Sequence, residues 1–170
     1  LQIDILRTLA PDQFITHNLM PFGSRELDFY DLADSLDFVS WDNYHFHGAT
    51  PTIVAATHDR TWGFKRSGYW VMEQQVSNVN WTPYNPTFRP DEVGLKVWQS
   101  IARGADGVIY FRWRAARLGA ELYHSGLLER LNNGEDYGQV AMGTAKWVYT
   151  FTNLQPFALI HTMTKVTIKR

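Results

Sequence analysis

Residues 69–75, with the sequence YWVMEQQ, join a short apolar run directly to one carboxylate and two amides. An apolar run that does not alternate with polar residues is typical of a strand buried on both faces, as in a parallel sheet. Three further short runs rich in β-branched and aromatic residues have the same character: Phe14–Thr16, Phe38–Trp41 and Gly107–Phe111. Polar residues follow every run, so the sequence predicts four parallel strands whose carboxyl ends are polar.

Helical patterns separate the predicted strands. Residues 2–7 read as a helix before the first strand, and Ser24 is a candidate N-cap for a helix that runs to Leu36. Two more helices are predicted over Pro51–Phe64 and Asp91–Ala102, the second ending before Gly104. The resulting order, βαβαβαβ after an initial helix, begins both a doubly wound sheet and a (β/α)8 barrel.

Length and loop composition favour half of a barrel. No glycine-rich phosphate loop follows any predicted strand, which weakens a dinucleotide-binding interpretation. A complete barrel needs eight strands and roughly 250 residues, whereas this chain offers four predicted strands in 170 residues. The first residue is Leu1 and the chain opens on what reads as the middle of a helix, so we expect it to be cut from a longer protein.

Composition excludes several classes of protein. A content of 45% hydrophobic, 15% aromatic and 19% charged residues excludes a disordered chain. A net charge of −1 gives no basic surface for nucleic acid, and no run of about 18 apolar residues exists to span a membrane. The absence of Cys excludes disulfides and thiolate metal sites. We therefore expect no nucleic-acid partner, no membrane partner and no metal site in this chain, and, without a secretory signal, a cytoplasmic location.

Glu73 is the strongest single candidate for chemistry. It directly follows the apolar residues 69–72, at the position where a barrel strand carries its catalytic groups. A carboxylate there, beside amide donors, suits a glycosidase nucleophile, which must stay ionised near the anomeric carbon of a sugar. The alternative is a structural glutamate that pairs with a nearby arginine.

Three other residues are candidates for sugar binding. Trp81 lies in a loop rich in Pro and Asn, where its ring either stacks on a sugar face or folds back to pin the loop. Glu121 and His124 share one side of a turn if residues 119–126 are helical, where they either hold sugar hydroxyls or face solvent.

The remaining polar residues at strand ends suggest structural roles. A buried, hydrogen-bonded role is predicted for four of them: His17, Asn18, Asp42 and Asn43. Three histidines do not form a convincing metal set: His45, His47 and His58. Three arginines are predicted to make ion pairs around the rim: Arg112, Arg114 and Arg117.

Several ordered motifs resemble glycoside hydrolase family 42, the β-galactosidases. They are WDNY at 41–44, WVMEQQ at 70–75, VNW at 79–81 with PYNP at 83–86, GADG at 104–107 with YFRWR at 110–114, and GAE at 119–121 with HSGLL at 124–128. The resemblance covers roughly residues 6–128 and departs from the family at His45 and at residues 76–78. It implies an α/β fold, the C-terminal half (strands five to eight) of a (β/α)8 TIM barrel, over residues 1–128. Residues 129–170 would then hold the last barrel helix and a divergent or truncated tail.

The resemblance also implies residue roles. Glu73 matches the family's nucleophile, Trp81 its sugar-contacting tryptophan, and Glu121 with His124 the pair that binds galactose hydroxyls. The family's acid/base glutamate and its zinc site would both lie upstream of Leu1, so no cofactor is expected in this chain. The complete enzyme would be a homotrimer acting on a β-galactoside substrate.

The resulting hypothesis is a fragment of a retaining β-galactosidase that acts on terminal non-reducing β-galactosyl groups through a covalent intermediate. The isolated chain is expected to be inactive because it lacks the acid/base residue. Two alternatives are a non-catalytic half-barrel that only binds sugar or packs against a partner, and a related glycosidase acting on arabinopyranosides.

Overall fold

A computed structural model describes residues 2–22, 25–45, 48–85, 88–89 and 91–127. Its elements are α1 Gln2–Leu9, β1 Asn18–Leu19, α2 Phe29–Asp34, β2 Ser40–Asn43, α3 Pro51–Lys65, β3 Tyr69–Gln75, α4 Glu92–Ala102 and β4 Ala105–Phe111. The strands are all parallel and lie in the order β1-β2-β3-β4. A doubly wound sheet reverses its strand order at a switch point, whereas sequential order is that of a barrel wall.

The first strand lies later in the chain than predicted. The expected strand Phe14–Thr16 is wrong, because β1 comprises only Asn18 and Leu19. Residues 14–17 run beside the start of β2 but bond to it partly through side chains, since the Thr16 hydroxyl donates to the Phe38 carbonyl at 2.8 Å. The Phe14 side chain is 61% exposed, so the apolar character that suggested a strand does not reflect burial in the core.

The second and third strands extend past their apolar runs. The run Phe38–Trp41 predicted β2 two residues too early, because the strand is Ser40–Asn43 and includes polar residues. The run 69–72 predicted the start of β3 correctly, but this strand continues to Gln75. Polar residues remain in both strands because their side chains bond laterally to one another at the carboxyl edge of the sheet.

The two long helices match their predictions, and the short one does not. Helix α3 begins after Thr50, whose hydroxyl accepts from the backbone N–H of Ile53 at 3.3 Å. Helix α4 ends before Gly104, which has a φ of +95°, as the predicted C-terminal glycine requires. The helix predicted from Ser24 to Leu36 is confined to Phe29–Asp34 because the Asp28 carboxylate caps it there. Ser24 itself lies outside the described residues.

The core lies between the sheet and the helices that cover it. Val71 of β3 and Val108 of β4 are fully buried, as are Val93 and Val97 of α4. These residues belong to one apolar cluster, which fixes the helices against the sheet and leaves the carboxyl ends of the strands free for polar groups. In the part of the chain that the structure describes, no helix has both the length and the apolar character needed to cross a membrane. The predicted tail 129–170 lies outside the described residues.

A buried polar network connects β3 to α3 and α4. The Tyr69 hydroxyl is 2.8 Å from Nδ1 of His58, and the Ser100 hydroxyl is 3.4 Å from Nε2 of the same ring. All three side chains are buried. Burial lowers the pKa of His58 to about 4, so its imidazole is neutral at physiological pH.

This network makes the fold sensitive to acid. Between pH 6.5 and about 4, His58 binds a proton in the unfolded chain but not in the folded one, so stability falls as the pH falls. The shift corresponds to about 3 kcal/mol in the free energy of unfolding. His45, whose burial lowers its pKa to about 3, acts in the same direction. Urea unfolding measured across this pH range should show that the free energy of unfolding changes less with pH in His58→Gln than in the unaltered chain. Equal changes with pH would contradict the assignment.

Candidate active site

The carboxyl ends of β2 and β3 place polar side chains side by side. The parallel ladder pairs Asp42 with Glu73, and Asn43 with Gln74. Asn43 Nδ2 donates to Gln74 Oε1 at 2.8 Å, and both side chains are fully buried. Because a buried amide without a partner is costly, this bond stabilises the register that brings Asp42 and Glu73 together.

Glu73 lies within β3, two residues before its end, and it is partly exposed at the sheet edge. The hydrogen bond that the structure gives its carboxylate comes from the Tyr44 hydroxyl, which donates to Oε2 at 2.8 Å. The alternative of a structural glutamate required an ion pair between Glu73 and an arginine. In the described ranges, no arginine forms one with Glu73. Burial, followed by the contact with Glu73, raises the pKa of Tyr44, so the phenol stays protonated and remains a donor.

Asp42 is the carboxyl group on the neighbouring strand. Asn18 Nδ2 donates to Asp42 Oδ1 at 2.9 Å, which confirms the hydrogen bonding predicted for both residues, although both are half-buried and not fully buried as predicted. Burial and the negative charge of Glu73 raise the pKa of Asp42 to about 7, although the bond from Asn18 opposes this shift. Asp42 can therefore take up a proton near neutral pH, which limits the repulsion between the two carboxyl groups.

Trp81 extends over the same edge of the sheet, and its side chain is 57% exposed. Its ring meets Tyr44 at a centroid distance of 5.0 Å and His124 at 5.4 Å, edge-to-face in both contacts. The loop is held by Asn85, whose Oδ1 accepts from the Val79 N–H at 3.0 Å. Asn85 therefore pins the loop, and Trp81 keeps an open ring surface beside Glu73's partner Tyr44.

Glu121 lies in a turn, and the helix considered for this segment is not present. The turn is closed by backbone bonds from Leu122 to Gly119 and from His124 to Glu121. Arg112 donates from Nη1 to Glu121 Oε2 at 2.6 Å and from Nη2 to the Glu121 carbonyl at 2.9 Å. The ion pair predicted for Arg112 at the rim is thus confirmed, and it holds a carboxylate whose side chain remains 46% exposed.

His124 is buried beneath the aromatic rings, with 1% of its surface exposed. Its ring packs against Phe111 at 4.8 Å and Tyr44 at 5.6 Å. Burial and the charge of Arg112 lower its pKa, while Glu121 raises it. Glu121 and His124 are therefore held differently. Arg112 holds Glu121 at the rim, whereas aromatic rings enclose His124.

A cavity of about 350 Å³ lies beside this cluster, between the Trp81 loop and the 119–125 turn. Its lining includes Asn80, Asn85, Tyr123, His124 and Ser125. Amide, hydroxyl and imidazole groups in such a space suit a ligand with many hydroxyl groups.

The other sequence candidates lie in different places. His17 is exposed, so the buried role predicted for it is wrong, although its carbonyl accepts from the Ser40 hydroxyl at 3.0 Å. The His45 backbone N–H donates to Gln75, and His58 belongs to the core. His47 lies outside the described residues. Within the described ranges, no three residues of the types His, Cys, Asp or Glu gather to hold a metal ion.

Two contributors to the site were not identified as candidates from the sequence. Tyr44 is the partner of Glu73, and Asn80 contacts the turn that holds His124. The sequence marked Tyr44 and Asn80 only as members of the WDNY and VNW motifs, and the partners of both residues are more than 25 positions away in the chain. Only the folded sheet brings these pairs together.

The chain is similar to known β-galactosidases. A family profile described as β-galactosidase matches residues 1–147. The β-galactosidase BgaA of a Thermus species is 41% identical over 81% of this chain and 24% of its own length.

Solved structures agree with this similarity. The β-galactosidase from Bacillus circulans sp. alkalophilus has a TM-score of 0.78 at 34% identity, covering 85% of this chain and 21% of that protein. The β-galactosidase from Rahnella sp. R3 has a TM-score of 0.79 at 30% identity, covering 92% and 24%. This chain thus spans about a quarter of the length of the proteins it resembles.

The 119–127 segment depends on one close backbone approach. A Cβ added to Gly126 would lie 2.5 Å from the Ala115 amide nitrogen and 2.6 Å from the Arg114 carbonyl carbon. We expect Gly126→Ala to displace this segment and to lower the free energy of unfolding by about 1–3 kcal/mol. The matched control is Gly63→Ala in α3, where nothing lies within 4 Å of the added Cβ. Helix propensity predicts that the control gains up to about 1 kcal/mol, so urea unfolding that shows equal changes would contradict the packing argument.

Proposed function

Because this chain belongs to glycoside hydrolase family 42, the β-galactosidases, we propose that it carries the nucleophile and the galactose-binding side chains of a retaining β-galactosidase. Its parallel strands form part of a (β/α)8 barrel, and we assign them to strands five to eight. The observation that carries the proposal is the place of Glu73, at the carboxyl edge of the sheet with a hydrogen bond from Tyr44. A carboxylate held in this way beside an exposed tryptophan suits attack on a sugar.

In this proposal Glu73 attacks the anomeric carbon of a β-galactoside. A bond forms between one carboxylate oxygen and that carbon while the bond to the aglycone oxygen breaks, and the leaving oxygen takes a proton from a second carboxylic acid. Water, deprotonated by that same second residue, then displaces Glu73 and releases galactose with its configuration retained.

Tyr44 orients the nucleophile. Its hydroxyl occupies Oε2 of Glu73 at 2.8 Å, which leaves Oε1 for the attack. A neutral donor also stabilises the carboxylate without adding a positive charge that would compete with the developing oxocarbenium ion. Tyr44 therefore holds Glu73 in place.

The second carboxylic acid is assigned to a glutamate outside these 170 residues. A retaining enzyme needs its two carboxyl groups about 5–5.5 Å apart across the glycosidic bond. Asp42 lies on the strand next to Glu73 and is bound by Asn18, so it is in the sheet beside the nucleophile and does not face it across a substrate. We therefore expect the 170-residue chain by itself to bind sugar without hydrolysing it.

Three side chains would bind the galactosyl group. The open ring of Trp81 would pack on the CH groups of the sugar. Glu121 would accept hydrogen bonds from hydroxyl groups while Arg112 holds it at 2.6 Å. His124, which lines the adjacent cavity, would contact a hydroxyl there. A homotrimer, a zinc site upstream and a cytoplasmic location remain predictions for the whole enzyme.

A purely sugar-binding module is the second candidate function. It is favoured by the position of Asp42, the carboxyl group next to Glu73, which lies in the same sheet and does not face Glu73 across a substrate. The galactosidase and the module are distinguished by measuring galactoside hydrolysis. The assay compares this chain alone with a chain extended to the length of its relatives. Turnover only in the extended chain supports the galactosidase, while sugar binding without turnover in both supports the module.

Glu73 should be the labelled residue in a trapping experiment. A 2-deoxy-2-fluoro-galactoside with a good leaving group should form a stable ester with Glu73 in the extended enzyme. The fluorine slows both formation and hydrolysis of the ester, whereas the good leaving group speeds only its formation. Peptide mass spectrometry locates the ester. Glu73→Gln should lose roughly 10³-fold or more in kcat, and a label on any other residue would refute the assignment.

Removing the Tyr44 hydroxyl should weaken catalysis without unfolding the site. A hydrogen bond to a charged group is worth about 1.5–3 kcal/mol, so Tyr44→Phe in the extended enzyme should lower kcat about 10- to 100-fold. Tyr30→Phe, in α2 and packed against Phe64, is the matched control that loses a phenol away from the site. Equal kcat in Tyr44→Phe and the control would show that the contact with Glu73 has no part in the reaction.

A further inference from the structure

The Asn80 amide bridges the Trp81 loop and the turn that carries His124. Its Nδ2 donates to the Ala120 carbonyl at 3.1 Å, and its Oδ1 lies 3.3 Å from Nδ1 of His124. A backbone carbonyl can only accept a hydrogen bond, so the NH2 group must face Ala120 and the amide oxygen must face His124. Since that oxygen also only accepts, the hydrogen between the two side chains belongs to Nδ1.

The surroundings of His124 keep its ring neutral. The ring is enclosed by the side chains of Tyr44, Trp81 and Phe111. Of the charged groups that act on it, Arg112 opposes a second proton and Glu121 favours one, and with burial the net effect is a lowered pKa. A neutral imidazole that carries its hydrogen on Nδ1 has a free lone pair on Nε2.

The Nε2 atom of His124 is buried and has no hydrogen-bond partner among the described residues. Buried polar atoms in folded proteins nearly always have a partner, which a bound ligand can supply. The cavity of about 350 Å³ beside the cluster is lined by both Asn80 and His124. A free lone pair on Nε2 can accept a hydrogen bond only from a group that donates, such as a hydroxyl.

We infer that Asn80 is a positioning residue that fixes His124 in its Nδ1-protonated form and so reserves Nε2 as the acceptor for a hydroxyl group of the sugar. The identity of the ligand rests on the proposed function, whereas the state of the imidazole does not. Asn80 also ties Trp81, its neighbour in the chain, to the turn at Ala120. One amide therefore sets the hydrogen-bonding direction of His124 and the place of the stacking ring.

Ring nitrogen signals in NMR distinguish the two neutral forms and the charged form of histidine, and they test the inference directly. The full chain is labelled with ¹⁵N-histidine, and His124→Gln identifies the His124 signals among the six histidines. At neutral pH we expect a protonated Nδ1 and an unprotonated Nε2. A protonated Nε2 in the unaltered chain would overturn the inference.

Two substitutions at Asn80 should act in different ways. Asn80→Ala removes the acceptor, so the Nδ1-protonated form should lose its preference and the other neutral form should appear. Asn80→Asp keeps an acceptor and adds a negative charge, so both ring nitrogens should become protonated near neutral pH. If either variant leaves the His124 signals unchanged, Asn80 does not set the state of the ring.

Thr82→Val is the matched control in the same loop. It removes a hydroxyl that bonds to Asn85 at 2.8 Å and lines the same cavity, but this hydroxyl has no bond to His124. The control should keep the signals of the unaltered chain. A change as large as that in Asn80→Ala would mean that any disturbance of the loop alters His124, and the inference would be wrong.

An NMR experiment with added galactose tests this inference separately from the proposed function. Added to the labelled chain, galactose should shift the Nε2 signal of His124 as a hydroxyl donates to that atom, and the shift should be smaller in Asn80→Asp. If the imidazole has the expected form and responds to Asn80 but galactose moves no signal, the positioning role holds and the proposed galactose site fails.

Discussion

The parallel register of β2 and β3 is the constraint on which the site depends. It sets Asp42 beside Glu73 and Asn43 beside Gln74, and the buried amide bond of the second pair stabilises it. A shift by one residue would turn every side chain to the opposite face of its strand. It would also break the hydrogen bond between the two buried amides, so this polar contact helps to fix the place of Glu73.

Polar side chains at the strand ends form hydrogen bonds with one another, and their proximity shifts a pKa. Asn18 binds Asp42, and Tyr44 binds Glu73, so each carboxyl group has its own neutral donor. The two groups still repel, and together with burial this moves the pKa of Asp42 to about 7. The site thus holds two neighbouring carboxyl groups, of which Asp42 can become neutral near neutral pH.

Two chain segments enclose this edge, and hydrogen bonds join each of them to its neighbours. The Trp81 loop is shaped by Asn85 and joined to the 119–124 turn through Asn80. The turn is joined to the end of β4 through Arg112, which binds Glu121 by its side chain and its carbonyl. These bonds connect residues at the proposed sugar site. The same bonds therefore hold the loops in place and set which groups at the site donate or accept hydrogen bonds.

Apolar periodicity, helix caps and ordered motifs are local signals, so they can be found without the structure. They predicted the alternation of helices and strands and the helices α3 and α4, and they identified Glu73 and Trp81 as candidates. The sequence placed β1 and β2 too early, since the polar residues 18 and 42–43 belong to strands only through lateral bonds to other strands. An ion pair at the rim was predicted for Arg112, but Tyr44 and Asn80 acquired their roles only through folding. Their partners are distant in the chain or are backbone carbonyls, and neither kind of contact leaves a mark in composition or spacing.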